Sequence, residues 1–96
     1  MSDFRNAATQ DIYNGEGTRA ARRLLPIWLH GTARRKMTVI RRAANVDDLR
    51  IPPSNHLEAL VGDRTGEFSI RINRRYRVCF TWDEDGAGDL EIVDYH

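Results

Sequence analysis

The last residues of the chain combine side chains that could do acid-base chemistry on a polyanion. Residues 92–96 read IVDYH. His96 has an ordinary pKa of about 6.5, which suits proton transfer at neutral pH. Asp94 falls on the same face of an extended strand, where a carboxylate orients or charges the imidazole. Tyr95 offers a ring that stacks on a base or packs on the core. The alternative is a solvated chain end.

Two arginines form the second candidate group. Arg71 and Arg77 each alternate with apolar residues, so both fall on the polar faces of their strands. Guanidinium groups are permanently charged and bind phosphate through a fork of donors, which makes the pair a candidate phosphate clamp. The alternative is a pair of solvated strand arginines that form ion pairs with Glu58 or Glu67.

His56 and Cys79 are weaker candidates. His56 follows a double proline and, taken alone, is more typical of a surface residue than of a catalyst. Cys79 is the only cysteine, which excludes an internal disulfide, and it is expected to be a small strand filler. The three histidines, His30, His56 and His96, show no metal-ligand spacing, so we expect no metal site.

Two segments with a period of two position the arginines. The sequences EFSIRI (residues 67–72) and YRVCFTW (residues 76–82) alternate as half-buried antiparallel strands do. Opposed residues of such a pair share a face, which requires a three-residue loop at 73–75. The register predicts the pairs Ile72 with Tyr76, Ile70 with Val78 and Phe68 with Phe80.

The same register sets Arg71 directly opposite Arg77. Like charges placed in this way are destabilising unless an anion lies between them. A second hairpin through the DEDGAGD segment leads into a last strand at residues 89–95, paired beside the YRVCFTW strand. That pairing brings residues 94–96 towards Arg77.

The first half of the chain is predicted to be helical. Thr18 caps a short helix that ends at Leu24, and Pro26 suits the first turn of a longer helix. Residues that recur at steps of three and four give the longer helix a mostly apolar stripe, and most of its arginines fall outside this stripe. The stripe comprises Leu25, Trp28, Leu29, Thr32, Lys36, Met37, Ile40 and Ala44. Trp28 and Trp82 are both expected in the core.

The remaining segments are connections. Residues 3–13 are ambiguous, with a short strand and then a helical turn as one interpretation, and VDDLR adds one capped turn. The double proline forces an extended connection, after which NHLEAL enters the sheet. Helices followed by strands predict an α+β fold, with N-terminal helices packed on a small antiparallel sheet.

Length and composition are typical of a soluble globular protein. The 96 residues suffice for one domain, predicted to span residues 1–96, with 41% hydrophobic and 30% charged residues. No apolar run approaches the roughly 20 residues that cross a bilayer. Because residues 1–4 lack the features of a signal peptide, we expect a cytoplasmic protein without a membrane partner.

The net charge of +1 conceals a segregation of charge. Between Arg19 and Arg50 there are eight arginines and one lysine against two acids, whereas residues 83–94 carry six acids and no base. This pattern suggests that one surface attracts a polyanion.

A longer pattern resembles a known family. The segment PPSNHLEALVGDRTGEFSIRINRRYRVCFTW (residues 52–82) and the terminal EIVDYH resemble the HigB branch of the RelE superfamily, the toxins of type II toxin-antitoxin systems. ARRLLPIWLHGTARRKM (residues 21–37) is similar to the helical region of the same toxins. The likeness covers most of the chain in the same order, and the combined GDR, SIRIN, YRV and DYH pattern is specific.

The resemblance implies a RelE-like fold and ribosome-dependent cleavage of mRNA in the A site, which inhibits translation. It implies three kinds of partner: the ribosome with its mRNA, a cognate helix-turn-helix antitoxin of HigA type, and operator DNA only through the toxin–antitoxin complex. The reaction implied is a transesterification without metal or cofactor, in which the ribose 2′-OH attacks the adjacent phosphate.

The resemblance also assigns roles to residues. Arg77 matches the sheet arginine that contacts the scissile phosphate, and Arg71 matches a second basic position. His96 is the implied acid or base, Asp94 its orienting partner and Tyr95 a stacking platform. The predicted catalytic set is His96, Asp94, Tyr95, Arg77, Arg71 and His56, and the predicted RNA contacts are Arg71, Arg74, Arg75, Arg77 and Tyr95.

Two positions depart from the family pattern. Val61 stands where many relatives have lysine, which removes a cation that could position RNA. His56 stands where close relatives often have arginine, and is an additional candidate acid or base. The alternative function that follows is a catalytically weak or inactive module that acts as an antitoxin-binding partner or corepressor.

Overall fold

A computed structural model, which describes residues 2–95, shows three α-helices and an antiparallel sheet of four strands. The helices are α1 (Ala7–Tyr13), α2 (Arg19–Leu24) and α3 (His30–Arg42), and the strands are β1 (Glu58–Ala59), β2 (Glu67–Arg71), β3 (Tyr76–Asp83) and β4 (Gly86–Asp94). The strand order is β1-β2-β3-β4. The predicted α+β class is confirmed. None of the described helices has the length and apolarity needed to cross a bilayer.

Side-chain caps begin the first two helices. Asn6 Oδ1 accepts a 2.8 Å hydrogen bond from the Thr9 amide, and Thr18 Oγ1 accepts one of 3.2 Å from the Ala21 amide. The predicted cap at Thr18 is therefore confirmed. Thr9 also fastens α1 to the sheet, because its hydroxyl accepts a 3.2 Å bond from the buried amide of Ile92 in β4.

A 3-10 turn, Ile27–Leu29, separates Pro26 from α3. The buried residues of α3 are His30, Ala33, Met37 and Ile40. The prediction that Trp28 lies in the core was wrong, since the residue is 75% exposed. The tighter turn places Leu29 inside and leaves Trp28 on the solvent side. Trp82 packs partly buried against the core.

The central hairpin has the predicted register. Phe68 lies opposite Phe80, Ile70 opposite Val78 and Arg71 opposite Arg77. Ile72 donates its amide to the Tyr76 carbonyl at 2.9 Å, which confirms the three-residue loop between them. Asn73 stabilises the loop, since its Oδ1 accepts hydrogen bonds of 2.9 and 2.8 Å from the amides of Arg75 and Tyr76.

Strand β4 is longer than predicted and begins at Gly86 rather than at residue 89. A two-residue turn at residues 84–85 joins it to β3, and Gly86 takes the φ of +100° that favours glycine. At the other end Asp94 lies opposite Tyr76. The end of β4 therefore lies beside the start of β3, as predicted.

The connection after the double proline differs from the predicted extended segment. A 3-10 turn, Pro53–Asn55, replaces it, and β1 contains only the two residues Glu58–Ala59. Asn55 accounts for the turn, because its buried amide nitrogen donates to the Leu49 carbonyl at 3.1 Å and its oxygen accepts from Lys36. These bonds tie the loop that precedes β1 to helix α3.

Candidate active site

Arg77 lies at the base of the candidate site and is almost fully buried, with 3% exposed. Its Nε donates a 2.8 Å hydrogen bond to Ser69 Oγ, and Nη2 donates to the carbonyl oxygens of Ser69, at 3.3 Å, and of His56. Ser69 in β2 lies diagonally across from Arg77 on the same face of the sheet. These fixed acceptors hold the guanidinium in one orientation.

Glu58 supplies a negative charge beside the buried arginine. Its Oε1 lies 3.6 Å from Arg77 Nη1, and its side chain is 52% exposed. The positive charge of Arg77 is therefore partly balanced within the protein, by neutral acceptors and this carboxylate. Arg71 is half-buried and forms no ion pair with any residue in the range 2–95.

Tyr95 covers Arg77 from the end of β4. The Arg77 guanidinium carbon lies 5.3 Å from the centre of the Tyr95 ring, and the Tyr95 amide donates to the Arg75 carbonyl at 2.7 Å. Val93 is opposite Arg77 in the register, so alternation along β4 places Tyr95 on the same face. Tyr95 is 50% exposed, so part of it remains accessible above the cation.

Asp94 faces away from Arg77. Its Oδ2 accepts hydrogen bonds of 2.9 and 2.7 Å from Arg75 Nε and Nη2. The hydrogen bond that Arg75 donates to Asp94 raises the pKa of Arg75 above its ordinary value. The prediction that the terminal residues approach Arg77 is therefore confirmed for Tyr95, whereas Asp94 pairs with the loop arginine instead. Arg74, the other loop arginine, is exposed.

A shallow cleft of about 370 Å³ opens beside Tyr95. Its lining residues are Glu58, Ala59, Leu60, Val61, Asp63, Arg64 and Tyr95. Val61 is 84% exposed and lines this cleft. Arg64 is already neutralised by Glu67 and Glu91, at 3.1 and 2.7 Å, and the hydrogen bond to Glu91 raises its pKa. The cleft wall therefore lacks a free cation among its described residues.

Of the two histidines in the predicted catalytic set, the structure describes only His56. His56 is exposed and adopts a left-handed conformation, with φ of +46°, while its carbonyl oxygen accepts from Arg77. Such a conformation is uncommon outside glycine and concentrates at functional sites. His96 lies outside the described residues.

Cys79 has the predicted role of a small strand filler. It is fully buried, and burial raises the pKa of its thiol above the ordinary value, against a smaller opposing effect of Arg64. A raised pKa keeps the thiol protonated, which excludes a reactive thiolate at neutral pH.

Sequence reasoning missed the role of Ser69. Strand parity already places Ser69 on the arginine face, diagonal to Arg77, and this was the signal available. The sequence indicates Glu58 only as one of two possible ion-pair partners of the strand arginines. Glu58 lies on a strand of only two residues. Such a strand has no alternation that would favour Glu58 over Glu67 as the partner.

Comparisons with known proteins identify the family. The model of the family described as the RelE-like toxin of the type II toxin-antitoxin system HigB matches residues 2–96. This chain belongs to the HigB-like toxin family. It is 39% identical over 74 residues to Toxin HigB-1 of Vibrio cholerae serotype O1, a match that covers 77% of each protein. It is 35% identical over 68 residues to an uncharacterised protein of Haemophilus influenzae, covering 71% of this chain and 67% of that protein.

Membership of the HigB-like family makes the chain a toxin of a type II toxin-antitoxin system, with an antitoxin as its partner. RelE-like toxins are generally endoribonucleases. The RelE-like fold is confirmed by the helices and the four-stranded antiparallel sheet.

Proposed function

We propose that this toxin is a ribosome-dependent mRNA endonuclease that inhibits translation. The observation that supports the proposal most directly is the Tyr95 ring lying over the buried Arg77 guanidinium, at the head of an open cleft. Rings stack on unpaired bases and guanidinium groups bind phosphate, so the pair offers both interactions that a single-stranded RNA requires.

The reaction is a transesterification. The ribose 2′-OH loses its proton to a base and attacks the adjacent phosphorus, the bond from phosphorus to the 5′ oxygen breaks, and that oxygen takes a proton from an acid. The products are a 2′,3′-cyclic phosphate and a 5′ hydroxyl. Cations are needed where negative charge develops on the phosphate oxygens.

The residues divide between these tasks. We assign His96 as the acid or base, with His56 as a second candidate because its loop is fixed to Arg77. Arg71 and Arg77 provide positive charge for the phosphate, and Tyr95 stacks on a base. Asp94 acts through Arg75, whose guanidinium it holds in place. The proposed RNA contacts are Arg71, Arg74, Arg75, Arg77 and Tyr95.

Purified protein, added to ribosomes that are translating a defined mRNA, tests the proposal. Primer extension should map cleavage to fixed positions within the codon, and only when ribosomes are present. Arg71→Gln and His96→Ala should abolish these products without changing the melting temperature. Absence of cleavage by the wild-type protein, or equal cleavage by both variants, would contradict the mechanism.

Expression in cells tests the same function independently. The toxin expressed without its antitoxin should arrest growth, and His96→Ala should relieve the arrest. If the protein binds its antitoxin but neither cleaves mRNA nor arrests growth, the alternative of a catalytically inactive partner or corepressor would be supported instead.

A further inference from the structure

The solvent-facing side of α3 and the preceding 3-10 turn carries a regular stripe. It consists of Trp28, Thr32, Arg35, Val39 and Arg42, which we call the outer seam. Within α3 the steps from Thr32 to Arg35, Val39 and Arg42 are three, four and three residues, and Trp28 belongs to the 3-10 turn before them. This is the spacing of the positions through which two helices pack side by side in a coiled coil. The α3 residues of the seam therefore form one continuous face of the helix, on which a second helix can lie side by side.

The apolar members of the outer seam lie in solvent. Trp28 is 75% exposed and Val39 is 47% exposed, and Ile27 beside the seam is 59% exposed. The opposite face of α3 holds the residues that pack against the sheet, so the core does not need the outer seam. Large apolar side chains gathered on one exposed face are typical of interaction sites, and tryptophan and arginine are enriched among residues that dominate binding energy.

The charge of the outer seam is unbalanced. Neither Arg35 nor Arg42 forms an ion pair with any residue in the described part of the chain. From Thr18 to Val46 the sequence has eight basic residues and no acid. The cations of the seam are thus available to an external anion placed beside the apolar side chains.

We propose that the outer seam binds an amphipathic helix of the antitoxin. Apolar residues of that helix pack on Trp28 and Val39, and its carboxylates pair with Arg35 and Arg42. The inference rests on the chain being a type II toxin with an antitoxin partner. It adds which surface the antitoxin covers and the chemistry that it must present there.

Two other occupants fit the outer seam less well. RNA would satisfy the arginines and stack on Trp28, but the branched aliphatic side chains of Ile27 and Val39 offer a base no stacking surface. A second copy of the toxin, packed antiparallel about Arg35, would place arginine against arginine, which is unfavourable. An acidic, amphipathic protein helix meets both the apolar and the cationic residues.

Calorimetric titration of the full-length toxin with its full-length cognate antitoxin tests the inference. Trp28→Ala and Arg35→Glu should each raise the Kd by about tenfold or more. Arg35→Glu should also make the affinity less sensitive to salt. The matched control is Ile51→Ala, which removes another exposed apolar side chain, 76% exposed, outside the seam. It should leave the Kd unchanged, and all three variants should melt at the wild-type temperature.

Several results would overturn the inference. One is a Kd within about twofold of the wild-type value for both seam variants. Another is that the seam variants no longer cosediment with ribosomes but bind the antitoxin with unchanged affinity, which would assign the seam to RNA binding. A third is that the wild-type toxin is a dimer and the seam variants are monomers with unchanged antitoxin affinity, which would assign the seam to self-association.

The same variants separate this inference from the proposed function. Trp28→Ala, expressed without antitoxin, should arrest growth as the wild-type toxin does, because Trp28 lies outside the cleft and its lining residues. If even the wild-type toxin fails to arrest growth, the proposed function fails while the comparison of Kd values remains valid.

Discussion

The guanidinium of Arg77 lies 5.3 Å from the centre of the Tyr95 ring, which joins a nearly buried cation to a half-exposed aromatic residue at the end of the last strand. The guanidinium donates hydrogen bonds to the Ser69 hydroxyl and to the His56 carbonyl, which fix its position. The backbone of Tyr95 is held by the hydrogen bond that its amide donates to the Arg75 carbonyl. Of these two residues, Tyr95 lines the cleft, whereas Arg77 does not.

Tyr95→Ala should weaken both folding and RNA binding. Loss of the cation–π contact should lower the free energy of unfolding by about 1 kcal/mol, and loss of the ring should reduce affinity for a short single-stranded RNA. Tyr95→Phe keeps the ring and should match the wild type in both respects. Urea denaturation and fluorescence anisotropy measure the two effects. Equal RNA affinity of Tyr95→Ala and the wild type would exclude a stacking role.

Arg77→Ala should destabilise the protein by about 2–3 kcal/mol, because it removes the hydrogen bonds that the guanidinium donates to the Ser69 hydroxyl and to the carbonyl oxygens of Ser69 and His56. Arg71→Ala is the matched control. Arg71 lies directly opposite but has no ion pair within residues 2–95, so its loss should cost less than about 1 kcal/mol. Urea denaturation of both variants checks this.

The difference in stability between Arg77→Ala and Arg71→Ala also affects what a growth assay of each variant shows. Relief of growth arrest by Arg77→Ala has two causes, lost chemistry and lost stability, whereas relief by Arg71→Ala in a stable protein reports on the site. If Arg77→Ala proved as stable as the wild type, Arg77 would have no structural role.

Glu58→Gln should tighten RNA binding. The carboxylate lies 3.6 Å from Arg77 Nη1 and competes with an incoming phosphate for that cation. Removing its charge should lower the Kd for a short single-stranded RNA by about threefold to tenfold, a change of about 1 kcal/mol. Glu84→Gln removes an equally charged residue in the turn after β3, outside the cleft lining, and should have little effect. Weaker binding by Glu58→Gln would show instead that the carboxylate positions Arg77.

Val61→Lys should restore a cation to the cleft wall. The side chain is exposed between two acids, Glu58 and Asp63, so a lysine fits without disturbing the core. One added phosphate contact should steepen the salt dependence of binding to single-stranded RNA by about 0.7 in log–log slope. Ile51→Lys adds the same charge at a similarly exposed position outside the cleft and is the control. Identical slopes for both variants would mean that the cleft does not bind the RNA backbone.

Cys79 should make folding stability depend on alkaline pH. Burial raises the pKa of the folded thiol, whereas the thiol of the unfolded chain ionises near its ordinary value of about 8.5. Unfolding then releases a proton, so the free energy of unfolding should fall as the pH rises above about 8.5. Cys79→Ala should lack this part of the pH dependence in urea denaturation. An identical pH dependence in both proteins would contradict the raised pKa.

Strand alternation made much of the site predictable. It placed Arg71 opposite Arg77, required the three-residue loop and brought the end of β4 to the start of β3, because a period of two fixes the facing of every residue once one face is buried. Helix periodicity was less reliable at the start of α3. It assigned Trp28 to the core because it assumed an α-helical turn where the chain forms a 3-10 turn.

The sequence by itself determined the fold class, the register of the central hairpin and, through the resemblance of its motifs, the toxin family, since these depend on local patterns of residue type. Only the tertiary structure decided where the charges act. It buried Arg77 on acceptors from β2 and the His56 loop, set Glu58 beside it, and directed Asp94 to Arg75. His56 and Asp94 lie far in sequence from the arginines that they contact, and Glu58 lies on a strand of two residues, so no periodic pattern specifies these contacts. For Ser69, strand parity specifies the face but not the hydrogen bond.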